Sequence, residues 1–377
     1  MNLHCYFIFP KIYPTFCLTI CLILGIWWQV HEPYWYWSLV IASIGTTTLI
    51  ILRRKCLAFK LEFILFYVAA FFLGCFTCNR TLIAQRNFCT YTNGKNFDVM
   101  GTVIDINPTT NPYLRYSLRL KLKELVSTLN PSCRYRGKET LCVYTQSLHN
   151  ITVADTICIH NVHFKTPKNI EFMQFLLKEN IASSACVTKC TITMINRPFF
   201  SWARSISQYR DNLIEGFKQC MDSKTFLAFS SIFLGNPLAK KREDVLKNQL
   251  KIWGLFHYIA RAGLHLVIFV SIWIFILNLL PIPWSIRKLC IILLCSVYFI
   301  CTWPSIPFNR AFFTLLLVKV CELLRFKTYY IPSLAVITFI TLLENPIALF
   351  ALDFQLSFGV TFALAWFNEM RTQTNRN

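Results

Sequence analysis

His257, Arg261 and His265 stand in the stretch GLFHYIARAGLHL, the first half of an apolar run from Gly254 to Leu280. The run is long enough to cross a bilayer. Imidazole and guanidinium groups at that depth hydrogen-bond polar cargo or hold an anion. An Arg at the centre of a membrane helix costs roughly 2.5 to 3.5 kcal/mol, so such groups normally face a bundle interior or a wet pathway. On a helix the three residues recur every four positions and share one face. Gly263 lies between them, where it breaks or thins the helix and lets another backbone approach. The competing reading has Arg261 snorkelling from a helix end while both His bond backbone carbonyls. Two His do not make a zinc site, so no metal, no cofactor and no catalytic residue is assigned.

Composition indicates what must position these groups. Hydrophobic residues make up 55% of the 377, mean hydropathy is +0.46 and Phe occurs 34 times. This is the composition of a polytopic α-helical membrane protein. The formal charge of +20, from 38 Lys and Arg against 18 Asp and Glu, points to an anionic partner, membrane lipid or nucleic acid. The 17 Cys read as scattered, with no C-x-x-C pair, so neither a zinc ribbon nor a thioredoxin-like motif is expected.

Residues 1–78 hold three apolar segments, Ile12 to Val30, Tyr34 to Leu52 and Leu61 to Cys78. Each is long enough to span. No small-residue cleavage site follows the first, which reads as an uncleaved anchor. The first turn, His31-Glu32-Pro33, leads into Tyr34 to Trp37 and has no Lys or Arg, whereas the second carries Arg53, Arg54, Lys55 and Lys60. The positive-inside rule makes the second turn and the N-terminus cytoplasmic, so the chain leaves the third helix on the outer side.

Residues 79–197 form an inserted extracytoplasmic domain. Strand signals fall at Phe97 to Ile106, Tyr116 to Lys123, Thr140 to Tyr144, Thr156 to Phe164 and Ser184 to Thr193, with a helical turn or two at Phe172 to Leu177. Five strands and a short helix suit a small barrel of the OB type, although strand count alone does not separate it from other small β folds. Cations interleave with aromatics at Arg115, Arg119, Lys121 and Lys123, then at Arg134, Tyr135, Arg136 and Lys138. A surface that neutralises phosphates and stacks bases has this composition, as does a solvated basic face. Cys133, Cys142, Cys158, Cys186 and Cys190 lie nearby, and sequence does not fix any pairing.

Residues 198–252 begin with an amphipathic, interfacial helix over Phe199 to Met221. An apolar stretch follows, closed by Gly235-Asn236-Pro237, and then a charged connector from Lys240 to Lys251. Residues 253–370 form a helical bundle. After the opening run its apolar segments lie near Lys288 to Thr302, Asn309 to Leu324, Ile331 to Leu343 and Pro346 to Phe367. Several are short and interrupted, as in helices that line a cavity. Residues 371–377 are a polar tail.

His257 to His265 resembles the HLLAxSGLH signature of the ComEC competence family, inner-membrane channels that admit transforming DNA. Ser305-Ile-Pro-Phe-Asn309-Arg310-Ala311 resembles that family's S-x-P-x-Q-R-A segment. Glu344-Asn345-Pro346 with Asp353-Phe354-Gln355-Leu356-Ser357-Phe358 resembles its N-P…G-F-Q-L-S-F segment. Phe233 to Asn236 is similar to its L-G-D step. Ala154-Asp155, Lys168-Asn169, Phe172 and Asn180-Ile181 are similar to the end of its OB-like domain. Arg261-Ala262 departs from the usual aliphatic residue and Ser, and Asp353 replaces a Gly. The chain stops soon after the last motif, and no H-x-H-x-D-H run of a metallo-β-lactamase-like nuclease is present.

The resemblance implies a channel component for uptake of single-stranded DNA in the bacterial inner membrane, a transporter and not an enzyme. Its pathway residues would be His257, Arg261, Gly263, His265, Asn309, Arg310, Gln355 and Ser357. Interhelical packing is the competing role for Gln355 and Ser357. The implied partners are single-stranded DNA, membrane lipids, a separately encoded C-terminal half and a further copy of the chain. The alternatives are a membrane-embedded enzyme acting on lipid-linked substrates, and a truncated or split subunit.

Overall fold

The computed structural model describes residues 14–31, 61–109, 114–128, 134–148, 150–164, 169–187, 192–234, 263–302, 305–326 and 329–374. The expected second span, the basic turn after it and the charged connector lie outside these residues. The chain forms two compact units. One comprises Met1–Leu82, Trp273–Ile292 and Ile306–Asn377; the other comprises Ile83–Ile272 and Leu293–Ser305.

The first unit is helical. Helix α1 (Pro14–His31) and the first part of α2 (Leu61–Thr92) meet backbone to backbone. A Cβ on Gly25 would sit 2.1 Å from the carbonyl oxygen of Phe71, and one on Gly74 would sit 2.4 Å from that of Leu22. Only glycine permits this approach, which is how small residues let apolar helices associate without a hydrophobic driving force. Contrary to the expectation, Cys75 and Cys78 do form a C-x-x-C; the Cys75 thiol donates to the Gly25 carbonyl at 3.2 Å and Cys78 is buried in the helical core, so both serve helix packing. Helix α2 runs well past Cys78 because residues 79–92 contain no Gly or Pro to stop it, and Gly94, at φ +70°, ends the helical path.

Helices α8 (Ile306–Leu323) and α9 (Tyr330–Glu344) lie wholly in this unit, while α6 (Gly263–Leu279) and α7 (Trp284–Cys301) are each divided between the two units. The expected segment from Pro346 to Phe367 is broken into a 3-10 turn (Pro346–Phe350), one helical turn (Leu352–Phe354), a π turn (Gln355–Val360) and α10 (Thr361–Thr374). Pro346 removes a helical N–H and starts the break. Among the described residues three helices are long and apolar enough to cross a membrane, Pro14–His31, Phe66–Thr92 and Trp284–Cys301. The core of this unit joins Leu22 and Ile26 of α1 to Leu334, Ile337 and Leu342 of α9 and to Phe354 and Phe358 of the broken segment.

The second unit is a mixed β-sheet with attached helices. Its strands are β1 (Asn96–Pro108), β2 (Tyr116–Ser127), β3 (Arg134–Tyr135), β4 (Thr140–Thr145), β5 (Thr156–His163), β6 (Ile181–Val187) and β7 (Ile192–Asn196), in the order β6-β4-β2-β1-β5-β7 with β3 beside β2. All pairs are antiparallel except β4 with β6. Phe164, just after β5, bridges Ala185 of β6, so the sheet curls until strands from opposite ends of that order touch. The core lies inside the curl: Phe97, Val99, Val103, Leu118, Leu120, Leu122, Leu141, Val143, Ile157 and Ile159 all point inward. Helix α3 (Ile170–Lys178) packs Leu176 and Phe172 on the outer side of β4 and β6, against Cys142, Tyr144 and Ile181.

The stretch read as one strand from Ser184 to Thr193 is two, one on β4 and one on β5. The stretch, Ser-Ala-Cys-Val-Thr-Lys-Cys-Thr-Ile-Thr, contains no Gly or Pro to mark the change of partner. Helix α4 (Trp202–Cys220) follows the sheet as expected. None of its residues is buried, and Ser201 accepts the Arg204 N–H as its N-cap. Helix α5 (Ser223–Phe229) runs into a second π turn, Ser230–Leu234.

Candidate functional site

Helix α8 starts and α9 ends at the same end of the helical unit, and the broken segment begins there. Arg310, one turn into α8, donates from Nη1 to the Thr361 hydroxyl, which in turn donates to the Ser357 carbonyl at 2.7 Å. Its guanidinium carbon lies 5.8 Å from the centroid of the Phe358 ring. Thr361, the first residue after the π turn, returns its hydroxyl to the Ser357 carbonyl within that turn. Asn309 Oδ1, Arg310 Nε and Ser357 Oγ are buried and make no hydrogen bond within the described protein. Buried polar atoms left open in an apolar unit are expensive unless water or a polar cargo meets them. Gln355 takes a different role. It is exposed, and its amide donates to the Leu349 carbonyl at 3.0 Å, tying the π turn to the 3-10 turn before it.

His265 lies in the second unit. It is buried, and its ring stands edge-on to Phe233 at 5.7 Å. Phe233 stacks on Phe229 at 5.4 Å and Phe229 meets Phe217 at 5.5 Å, so an aromatic chain joins α4, the π turn and α6. Tyr298 adds a hydroxyl donated to the Phe233 carbonyl at 3.1 Å. Gly263 is the first residue of α6. His257 and Arg261 lie outside the described residues, and so does the shared face expected for them.

The basic face of the sheet divides into cations that are engaged and cations that are presented. Along β2, Arg119, Lys121 and Lys123 alternate with the inward leucines and point outward. Arg119 pairs with Glu179 at 3.0 Å, and Lys123 donates to the Thr156 hydroxyl at 3.0 Å. Arg134 and Arg136 approach Glu124 only loosely, at 3.7 and 3.5 Å, and remain mostly exposed. Arg115, Lys121 and Lys138 are exposed. Tyr135 is half-buried. Its ring packs on Phe88 and Tyr91, its hydroxyl donates to Glu139 at 2.7 Å, and burial with that bond pushes its pKa up to about 12. Cys142, Cys158 and Cys186 are free thiols, while Cys133 and Cys190 lie outside the described residues.

Residues 240–377 match the family model of the Competence protein. No curated protein and no solved structure matches the chain. The competence segment contains all eight pathway candidates and none of the eight basic-face candidates. It includes α6 to α10 and both ends of the Arg310 cluster.

One constellation upstream of the competence segment escaped residue-by-residue reading. Asp155, 0% exposed, accepts from Arg197 at 3.1 and 2.9 Å, from Arg204 at 2.6 Å, and from the Thr152 amide and hydroxyl at 2.9 Å each. Burial pushes its carboxyl up, but the Arg197 and Thr152 hydrogen bonds outweigh it and hold the group below the ordinary Asp value. Arg204 also donates to the carbonyls of Pro198 and Val153. The clamp fastens α4 to the sheet. Only the resemblance of Ala154-Asp155 to a family motif marked the carboxylate; the two Arg, far along the chain, carried no signal. Among the described residues no group of His, Cys, Asp and Glu is arranged to hold a metal ion.

Proposed function

We propose that this chain is a multi-pass component of the bacterial inner membrane that serves DNA uptake, with an outer β unit that captures single-stranded DNA and a helical unit that conducts it. The observation that carries this reading is the Arg310, Thr361, Ser357 and Phe358 cluster inside the competence segment. It offers a cation, an aromatic face and open hydrogen-bonding atoms in an otherwise apolar unit, which is what a phosphate-bearing strand requires to leave water. Three apolar helices of spanning length support the membrane placement.

The curled sheet supports an OB-type reading of the capture unit: a β1-β2-β4 meander, a parallel pair and a helix before β6. Small barrels of this type track single strands with cationic grooves. Exposed Phe199, Phe200 and Trp202 at the start of α4 support seating that helix in the membrane interface. Transformation tests the reading. Arg310→Ala, present in the membrane at the wild-type level, should lower DNA uptake on the order of 10- to 100-fold, and Arg310→Lys should recover part of it. Wild-type uptake by Arg310→Ala removes the pathway assignment.

A further inference from the structure

The opposite end of the helical unit carries a second charged cluster that DNA conduction does not use. Lys288, near the start of α7, is buried; its ammonium lies 2.9 Å from Glu322 of α8 and 3.2 Å from the centroid of the Trp284 ring. Glu322 also takes Lys319 at 3.1 Å, so one carboxylate holds two cations. Arg287, beside Lys288, donates from Nη1 to Asn278 at 2.5 Å, while its buried Nε–H has no partner within the described protein.

Helix α8 then ends on Arg325 at φ +61°, with the Phe326 N–H returning to the Cys321 carbonyl at 2.9 Å. That closing position is the one glycine normally fills. An L-residue in it costs about 1 to 2 kcal/mol, and a strained residue that persists calls for a reason. Counting Arg287, Lys288, Lys319 and Arg325 against Glu322, this end is net positive. From Leu289 to Asn309, along α7 to the start of α8, there is no Lys, Arg, Asp or Glu. The cations are framed by outward aromatics: Trp284 is 58% exposed, Phe326 65% and Tyr330 49%. Aromatics at headgroup depth beside Lys and Arg mark a membrane interface, and the charge asymmetry assigns this one to the cytoplasmic side.

We propose that this end binds the phosphate of an anionic phospholipid in the cytoplasmic leaflet. Glu322 balances only one of the two cations it holds, so this end keeps a net positive charge, and Arg287, Lys319 and Arg325 meet the headgroup while the aromatics contact the acyl boundary. Charge complementarity selects the occupant, and the apolar frame favours a lipid over a free nucleic-acid strand. The proposal rests on the membrane reading above.

The test uses the full chain, purified in detergent, with native mass spectrometry against phosphatidylglycerol and phosphatidylcholine. The chain should retain phosphatidylglycerol preferentially. Each of Arg287→Gln, Lys319→Gln and Arg325→Gln should weaken that retention about fivefold, corresponding to ~1 kcal/mol per cation near an anionic surface. The double variant Arg287→Lys, Lys319→Arg should keep it. Arg325→Gly separates binding from folding, because it relieves strain and should raise the melting temperature while lowering phosphatidylglycerol retention. Equal retention of the two lipids overturns the proposal. So does unchanged retention in the triple Gln variant, or displacement of the lipid by a single-stranded oligonucleotide. Extraction of the chain from membranes by alkaline carbonate would instead overturn the membrane reading itself.

Discussion

Single residues of the sheet unit separate into those that hold the fold and those that are presented to solvent. Asp155 holds it. Removing its charge leaves Arg204 buried beside a neutral amide, a defect that costs on the order of 3 kcal/mol. Asp155→Asn should therefore lower the unfolding midpoint of the sheet without changing the helical unit, measured by near-UV circular dichroism or hydrogen exchange. The pH dependence has a definite sign. Because the folded carboxyl is depressed, the clamp's stabilisation is fully present above about pH 3.9, the ordinary Asp value, and is lost as pH falls toward the lower folded value. The Asn variant should lack that acid loss. A variant that keeps the wild-type acid profile places the titration elsewhere. On the basic face the expectation is the reverse. Substituting Arg115, Lys121 or Lys138 by Gln should weaken single-stranded DNA binding by the full chain and flatten its salt dependence by about 0.7 in log–log slope per contact, with stability unchanged. Arg119→Gln should instead cost stability, since it strands Glu179. Equal effects from all four would mean a diffuse charge effect and no defined face.

At the scale of elements, legibility followed the physics of each signal. Alternation marked β1, β2, β4 and β5 to within a few residues, because one face of each strand fills the curl with Val, Leu, Ile and Phe. Three features were illegible for definite reasons. Helix α2 overran Cys78 since polarity does not end a helix; a conformational stop does, and it came at Gly94. The strand from Ser184 to Thr193 hid a change of partner. The contact of α1 with α2 depends on Gly25 and Gly74, which lie on different helices and form no motif within either. The candidate site was half legible. Arg310 and Ser357 were visible as polar insertions, but Thr361, which links them, reads in sequence as an ordinary helix residue. The glycine contact yields its own prediction. Gly25→Leu and Gly74→Leu each drive a side chain into a facing carbonyl and should cost about 1 to 3 kcal/mol or separate the helices. Gly216, with nothing within reach of an added Cβ, should accept Ala at no cost. Thermal unfolding in detergent would show the contrast, and tolerance at Gly25 would disprove close packing.

At the scale of the molecule, two charge arguments drawn from different parts of the chain bear on topology. In the proposed topology the sheet lies outside, because the basic turn at Arg53 to Lys60 precedes the last apolar segment before it. The proposed lipid contact separately assigns the basic end of α7 and α8 to the inside, and on that assignment the beginning of α8, with Arg310, lies toward the outer leaflet. Each argument belongs to the proposed topology and makes its own prediction for one side of the bilayer. Reporter fusions decide this without reference to DNA. A periplasmic reporter joined after Asn150 should be active and one joined after Arg325 silent, with a cytoplasmic reporter giving the inverse pattern. An active periplasmic reporter after Arg325 overturns the cytoplasmic assignment of the basic end, and a silent one after Asn150 overturns the outer placement of the sheet.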